Sequence, residues 1–98
     1  MTPEISKNGS KIEVKLNGKF DAVSAPKFEQ EISTQLDEIT ELIIDMAGVE
    51  YISSAGLRAL LFLQQTMDEQ GEMIVRNVPE VVNAVFEVTE FDKFITIE

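Results

Sequence analysis

Hydrophobic and charged residues alternate near the start of the chain. Isoleucine, valine and leucine at positions 12, 14 and 16 alternate with lysine and glutamate at 11, 13 and 15, a pattern typical of a strand with one covered face. Asn8 and Gly9 precede this strand, and Asn-Gly is a strong hairpin signal. We therefore expect the first two strands to be antiparallel and to be followed by a loop over residues 18–22.

The hydrophobic spacing then changes to one residue in every three or four, which predicts helices. Ser24 is placed to cap the first helix, and Pro26 is tolerated in its first turn. The second helix is expected over residues 57–70, ended by Gly71, and the third opens at Pro79. The core residues expected on the first two helices are Phe28, Ile32 and Leu36, then Leu57, Leu60, Leu61, Phe62 and Met67. The third helix carries Val81, Val82, Val85 and Val88, and it is expected to rely on packing because valine is a poor helix former.

The remaining apolar segments are predicted to be strands. Residues 42–46 are apolar on both sides of the pleat, which suits a parallel strand covered on two faces. Shorter strands are expected at 73–75 and at 94–97. Strands alternating with helices after an opening hairpin predict a single α/β domain over residues 1–98, with a mixed, mostly parallel sheet of four to five strands and helices packed against it.

The junction between the central strand and the second helix carries two hydroxyl groups, on Ser53 and Ser54. Ligands of such folds gather where strands end. We expect Ser54 at or next to the helix N-cap, where a serine normally accepts a hydrogen bond from the first turn. The positive end of the helix dipole would also tolerate a phosphate there. Asp21 is expected to share this surface if the strand order makes the two strand ends neighbours.

The composition excludes most catalytic chemistry. The chain has no cysteine and no histidine, so it cannot form a disulfide, a thiolate nucleophile or a Ser-His-Asp triad. A Ser-Lys pair remains conceivable. We expect no catalytic residue, no metal site and no cofactor.

The formal net charge of −10 disfavours nucleic acid and anionic lipid as partners, because both are polyanions. No apolar run is long enough to span a bilayer, and no basic signal segment precedes Ile5. The expectation is a cytoplasmic protein without membrane insertion.

Residues 53–58 read Ser-Ser-Ala-Gly-Leu-Arg and resemble the signature Asp-Ser-Ser/Thr-Gly-Leu-Gly of a bacterial family. The family is the STAS domains, and within it the anti-sigma factor antagonists of the SpoIIAA and RsbV type. Ser53 stands where many members have aspartate, and Ala55 where many have a second serine or threonine. Residues 18–21, Gly-Lys-Phe-Asp, are similar to the family's Gly-x-hydrophobic-Asp segment.

The resemblance implies a partner-switching regulator of transcription rather than an enzyme. Ser54, and less favourably Ser53, would be phosphorylated by an ATP-dependent serine kinase with a histidine-kinase-like fold that is also the anti-sigma factor. The unphosphorylated form would bind this kinase and release a sigma factor, and a serine phosphatase would restore it. The residues expected to contact the partner are Asp21, Tyr51, Ser53, Ala55, Gly56, Leu57 and Arg58.

Structural roles are the alternative for several of these residues. Asp21 could be a loop or cap acid, and Gly56 could allow helix and sheet to approach closely. Asp45 is expected to make packing or hydrogen-bonding contacts.

Two further functions remain open. One is a STAS accessory subunit of a lipid-transporting ABC system, in which Ser54 only caps the helix. The other is a sensor of a nucleotide or another small anion at the same helix start, with Arg58 as the adjoining basic residue.

Overall fold

In a computed structural model that describes residues 2–98, the chain forms one sheet with three α-helices. The strands are β1 (Glu4–Asn8), β2 (Lys11–Phe20), β3 (Glu41–Ile52) and β4 (Glu72–Arg76), in that spatial order. The helices are α1 (Ser24–Ser33), α2 (Ser54–Asp68) and α3 (Glu80–Val88), followed by a short 3-10 helix at Phe91–Lys93. β1 is antiparallel to β2, whereas β2, β3 and β4 are parallel. The predicted mixed, mostly parallel α/β fold is confirmed.

The opening hairpin forms where Asn-Gly predicts it. Asn8 pairs with Lys11 across a two-residue turn, and Gly9 has a φ of +64°, a left-handed conformation that glycine adopts without steric cost.

β2 and β3 are both longer than predicted, and this length positions the candidate site. β3 continues through residues 47–52, which lack a continuous apolar run, because β2 pairs with it as far as Phe20 opposite Ile52. The register shifts twice along this stretch, once next to Gly18. The prediction of a loop from residue 18 was therefore wrong, and the two strands end side by side.

The core lies between the sheet and the helices. Apolar residues of the three parallel strands stand opposite one another in two rows, Ile12 with Leu42 and Met73, and Val14 with Ile44 and Val75. α1 connects β2 to β3, α2 connects β3 to β4, and the two helices pack against each other. Phe28 of α1 meets Phe20 edge to face, with ring centroids 5.7 Å apart. This contact ties α1 to the end of β2.

α2 ends at Asp68, two residues before the predicted end at residue 70, and Gly71 follows its last turn. The Gly71 N–H donates to the Met67 carbonyl oxygen at 2.6 Å. A Cβ at Gly71 would overlap the Thr40 carbonyl oxygen, which accepts a hydrogen bond from the Glu72 N–H.

α3 packs against the core through two buried residues. Val82 and Phe86 are fully buried, and Phe86 stacks on Phe91 at 6.0 Å. Val81 and Val88, which were predicted to lie on this helix, are 54% and 85% exposed. α3 meets the core through one side only.

The chain end differs from the predicted strand over 94–97. It makes a single parallel bridge, Val75 with Ile97, supported by the Val75 N–H bonded to the Thr96 carbonyl oxygen at 2.9 Å. Among residues 2–98, no helix combines the length and the apolar character needed to cross a membrane.

Candidate functional site

The candidate site lies where β2 and β3 end side by side. The Ser53 N–H donates to the Phe20 carbonyl oxygen at 3.0 Å, which continues the pairing of Phe20 with Ile52. Asp21 and Ser53 therefore follow neighbouring strands at the same edge of the sheet. The strand order thus makes the two strand ends neighbours, which was the condition for Asp21 to share a surface with Ser53 and Ser54.

Ser53, and not Ser54, is the N-cap residue of α2. Its backbone is extended, with φ −103° and ψ 177°, and its carbonyl oxygen accepts the first helical hydrogen bond, from the Leu57 N–H at 3.0 Å. The Ser53 hydroxyl does not cap the helix. Its Oγ is buried and has no hydrogen-bond partner within residues 2–98, an arrangement that costs the desolvation of the hydroxyl.

Ser54 is the first residue of α2, and its side chain is exposed. Ser54 therefore lies next to the N-cap, as predicted, but no residue of the described chain hydrogen-bonds to its Oγ, so its side chain does not make the expected capping bond. The N–H groups of Ser54, Ala55 and Gly56 likewise have no acceptor in the part of the chain that the structure describes. The start of α2 thus combines a free hydroxyl with unpaired backbone donors and the positive end of the helix dipole.

Gly56 lets α2 approach the end of β2. A Cβ at this position would lie 2.7 Å from the Phe20 carbonyl oxygen and 2.8 Å from Ile52 Cγ1. The predicted close approach of helix and sheet is confirmed. Ala55 and Leu57, on either side, are half-buried and pack against the core.

The start of α1, on the neighbouring strand, is closed by reciprocal hydrogen bonds. Asp21 Oδ1 accepts from the backbone N–H of Ser24 at 3.1 Å and of Val23 at 3.0 Å. Ser24 Oγ accepts from the Asp21 N–H at 3.0 Å and donates to the Lys19 carbonyl oxygen at 2.7 Å. The two side chains form a capping box.

Asp21 therefore caps the start of α1, which confirms the structural alternative given for this residue, whereas Ser24, the cap that was expected, is the first residue of α1. The Ala25 N–H donates to the Asp21 carbonyl oxygen at 2.8 Å, which is the first helical bond. The backbone N–H groups of Ser24 and then of Val23 hold the pKa of Asp21 below its ordinary value, because they stabilise the carboxylate. The Asp-x-x-Ser spacing was the available sequence signal.

Two exposed side chains flank the serines. Tyr51 is 50% exposed and pairs in register with Lys19. Arg58 is exposed, lies one helical turn beyond Ser54, and forms no ion pair with any residue from 2 to 98. Asp45 lies further back, where it accepts hydrogen bonds from the Ala47 N–H at 2.9 Å and from Asn77 Nδ2 at 3.1 Å. Its predicted hydrogen-bonding role is confirmed.

Three surface grooves of about 200 to 230 Å³ lie elsewhere: at the end of α2 beside β4, at the outer side of α1, and on the opening hairpin. None of these three is lined by residues 51–58. Over residues 2–98, the structure brings together no group of three Asp or Glu side chains suited to a metal ion. The candidate site is a surface around an exposed serine, flanked by the exposed side chains of Tyr51 and Arg58.

Comparisons with known proteins agree with this fold. The model of the STAS domain family matches residues 2–98. BtrV of Bordetella bronchiseptica, provisionally assigned as an anti-sigma factor antagonist, is 33% identical over 78 residues, covering 78% of this chain and 67% of BtrV.

Solved structures are similar over nearly the whole chain. An anti-sigma factor antagonist from Mycobacterium paratuberculosis is 25% identical with a TM-score of 0.86, covering 98% of this chain and 83% of that one. The antagonist SpoIIAA in its unphosphorylated form is 17% identical with a TM-score of 0.86, covering 99% and 88% of the two chains. SpoIIAA of Bacillus in its phosphorylated form is 16% identical with a TM-score of 0.77, covering 99% and 91%. The likeness to SpoIIAA shows a shared fold.

Proposed function

The chain belongs to the STAS domain family, and we propose that it is an anti-sigma factor antagonist controlled by phosphorylation of Ser54. Its unphosphorylated form binds an anti-sigma factor that is also a serine kinase, and this binding releases a sigma factor. Phosphorylation by that kinase ends the binding, and a serine phosphatase restores it. In this scheme the protein is a cytoplasmic substrate and binding partner with no catalytic activity of its own. The similarity to BtrV supports the antagonist role.

The observation that carries the proposal is the free, exposed hydroxyl of Ser54 at the first position of α2. A kinase can reach this oxygen without breaking a hydrogen bond. The hydroxyl of Ser53 is buried, and that of Ser24 is engaged in the capping box. In the transfer, the γ-phosphoryl group of ATP passes to Ser54 Oγ, the hydroxyl proton leaves, and ADP is released. Ser54 is therefore favoured over Ser53 as the acceptor.

The start of α2 is suited to carry a phosphate without unfolding. A phosphate adds a charge of about −1.5 to −2 at neutral pH, and the unpaired N–H groups of the first turn can donate to it. Arg58, at the i+4 position, is close enough to pair with the phosphate along the helix surface. We therefore expect the switch to act on the docking surface while the fold stays intact.

The partner's side of the switch follows from the same geometry. A partner docked over Ser54 would cover Tyr51 and Arg58, and a phosphate on Ser54 would lose its hydration on the side that faces the partner. If Arg58 pairs with the phosphate, the partner also loses a guanidinium contact. A penalty of about 1.4 kcal/mol weakens binding tenfold, so the switch requires no refolding.

Binding measured by calorimetry against the anti-sigma factor kinase of the same organism tests the proposal. We expect wild type and Ser54→Ala to bind alike and Ser54→Asp to bind at least about tenfold more weakly. Gln65→Glu is the matched control, because it adds one negative charge to an exposed position of the same helix. Circular dichroism checks that each variant is folded. Equal affinity of wild type, Ser54→Ala and Ser54→Asp would contradict the switch and favour an unswitched accessory subunit.

A further inference from the structure

α3 carries more apolar surface than the core covers. Its inner side buries Val82 and Phe86, while four other apolar residues remain exposed or half-buried: Val81, Ala84, Val85 and Val88. Successive residues of a helix are rotated by about 100°, so these four fall within one arc of about 100°. We refer to them as the α3 valine stripe.

The α3 valine stripe is a cluster of exposed apolar residues on one face of the helix, not a set of isolated ones. Val88 is 85% exposed and Val81 is 54% exposed, and the two are seven positions apart, on the same side of the helix. Single exposed apolar residues are ordinary, but several on one face mark an interaction surface. A helix that serves only the core would need its apolar arc on the buried side alone.

The charges around the stripe are negative. Glu80 and Glu87 border it on one side, and residues 77–92 contain four acids and no lysine or arginine. The nearest cations are already paired, Lys93 with Glu90 at 3.1 Å and Arg76 with Glu98 at 3.0 Å. A complementary surface must therefore be apolar with basic residues at its rim.

We propose that the α3 valine stripe docks a basic amphipathic helix of a partner protein. A second copy of the chain would bring the same acids against Glu80 and Glu87, and an anionic membrane would be repelled by the net charge of −10. A helix with an apolar face and with lysine or arginine at its edges would complement both the apolar side chains of the stripe and the acidic residues that border it. The proposal involves none of the residues around Ser54, so it does not depend on the phosphorylation switch.

A displayed library of helical peptides tests this chemistry directly. The peptides have apolar residues at i, i+3, i+4 and i+7 and lysine, glutamate or glutamine at the flanking positions. They are selected on the wild-type chain and counter-selected on the double variant Val81→Gln/Val88→Gln. Val23→Gln is the matched control, since Val23 is 69% exposed but lies at the start of α1. Circular dichroism verifies that both variants fold.

We expect the recovered peptides to carry lysine at their flanks and to bind the double variant at least about tenfold more weakly than wild type, the loss expected when a docking contact is removed. The Val23→Gln control should bind like wild type. A second variant, Glu80→Lys/Glu87→Lys, keeps the valines and should also weaken the lysine-flanked peptides.

Four results of these assays would overturn the proposal, and a fifth would come from vesicle binding. The four are recovery of no peptide, peptides without a preference for lysine, equal binding to the double variant, and a dimer of the chain in sedimentation that the double variant abolishes. The last result would assign the stripe to a second copy. Binding of wild type, but not of the double variant, to anionic vesicles would assign it to a membrane and overturn the proposal in the same way.

Discussion

The starts of α1 and α2 share one backbone arrangement but differ in their side chains. Each helix begins just after a strand, and in each the first helical bond runs back to the cap residue: from the Ala25 N–H to the Asp21 carbonyl at 2.8 Å, and from the Leu57 N–H to the Ser53 carbonyl at 3.0 Å. At α1 a capping box joins the side chain of the cap residue, Asp21, to that of the third residue after it, Ser24. At α2 that third position is Gly56, which has no side chain to close a box.

Steric requirements explain the difference. α2 approaches Phe20 so closely that only glycine fits at position 56, and the hydroxyl of Ser53 is left buried without a partner. The start of α1, where the side chains are hydrogen-bonded, has a structural role, whereas the start of α2 has no side-chain cap and leaves Ser54 accessible. Local rules of capping are thus broken at the place where we propose the function, as is common at functional sites.

The largest expected effect comes from filling the space at the open helix start. Gly56→Ala places a Cβ 2.7 Å from the Phe20 carbonyl oxygen, and such overpacking costs about 2 kcal/mol of the free energy of unfolding. Urea denaturation measures it. If helix propensity decided the outcome, alanine would instead stabilise the protein by about 1 kcal/mol, and the close approach would have no energetic weight.

Removing one hydroxyl from the start of each helix tests the difference between the two helix starts in terms of stability. Ser24→Ala loses two hydrogen bonds of the capping box and should cost about 1 kcal/mol of stability. Ser54→Ala loses no hydrogen bond and should change stability by less than about 0.5 kcal/mol. Both values come from urea denaturation under the same conditions. Equal losses at the two positions would mean that Ser54 caps α2 after all.

Ser53→Ala tests the buried hydroxyl. Because its Oγ has no partner among residues 2–98, we expect no loss of stability and a gain of up to about 1 kcal/mol as the desolvation penalty disappears. The same denaturation assay is sufficient. A loss of about 1 kcal/mol, typical of a working N-cap, would show that the hydroxyl is bonded in solution.

The smallest expected effect is the pH dependence of the stability that Asp21 contributes to the capping box at the start of α1. The pKa of Asp21 is lowered from 3.8 by the N–H groups it accepts from, so the carboxylate stabilises the folded state above the unfolded pKa of about 4. This contribution is lost as pH falls through the lower, folded pKa. Asp21→Asn keeps an acceptor oxygen but not the charge. Wild type should be more stable than the variant at pH 6, with the difference shrinking below pH 4; a constant difference would contradict this.

The sequence predicts those parts of the fold that local patterns determine. The hairpin and β2 followed from Asn8-Gly9 and strict alternation, and the end of α2, to within two residues, from Gly71. The extension of β3 could not be predicted, because residues 47–52 carry no apolar run and are held in the sheet by pairing with β2. The exposure of Val88 could not be predicted either, since apolar periodicity does not tell which valines a single packing contact covers.

The candidate site was predicted in part. Its place at the α2 start and the close approach at Gly56 followed from the sequence. A cap role for Asp21 was predicted only as the alternative to a partner contact, and Ser53 was not singled out as the N-cap of α2, because serine and aspartate can each cap from more than one position and tertiary contacts decide between them.

Phosphosite mapping by mass spectrometry tests the central proposal most directly. The protein is recovered from its native cells under several growth conditions with phosphatases blocked. We expect phosphate on Ser54 and none on Ser53 or Ser24, because, of these three hydroxyls, that of Ser54 alone is both exposed and free of hydrogen bonds within residues 2–98. Peptides covering Ser53 and Ser54 that are unmodified under every condition, or phosphate on Ser24 instead, would contradict it.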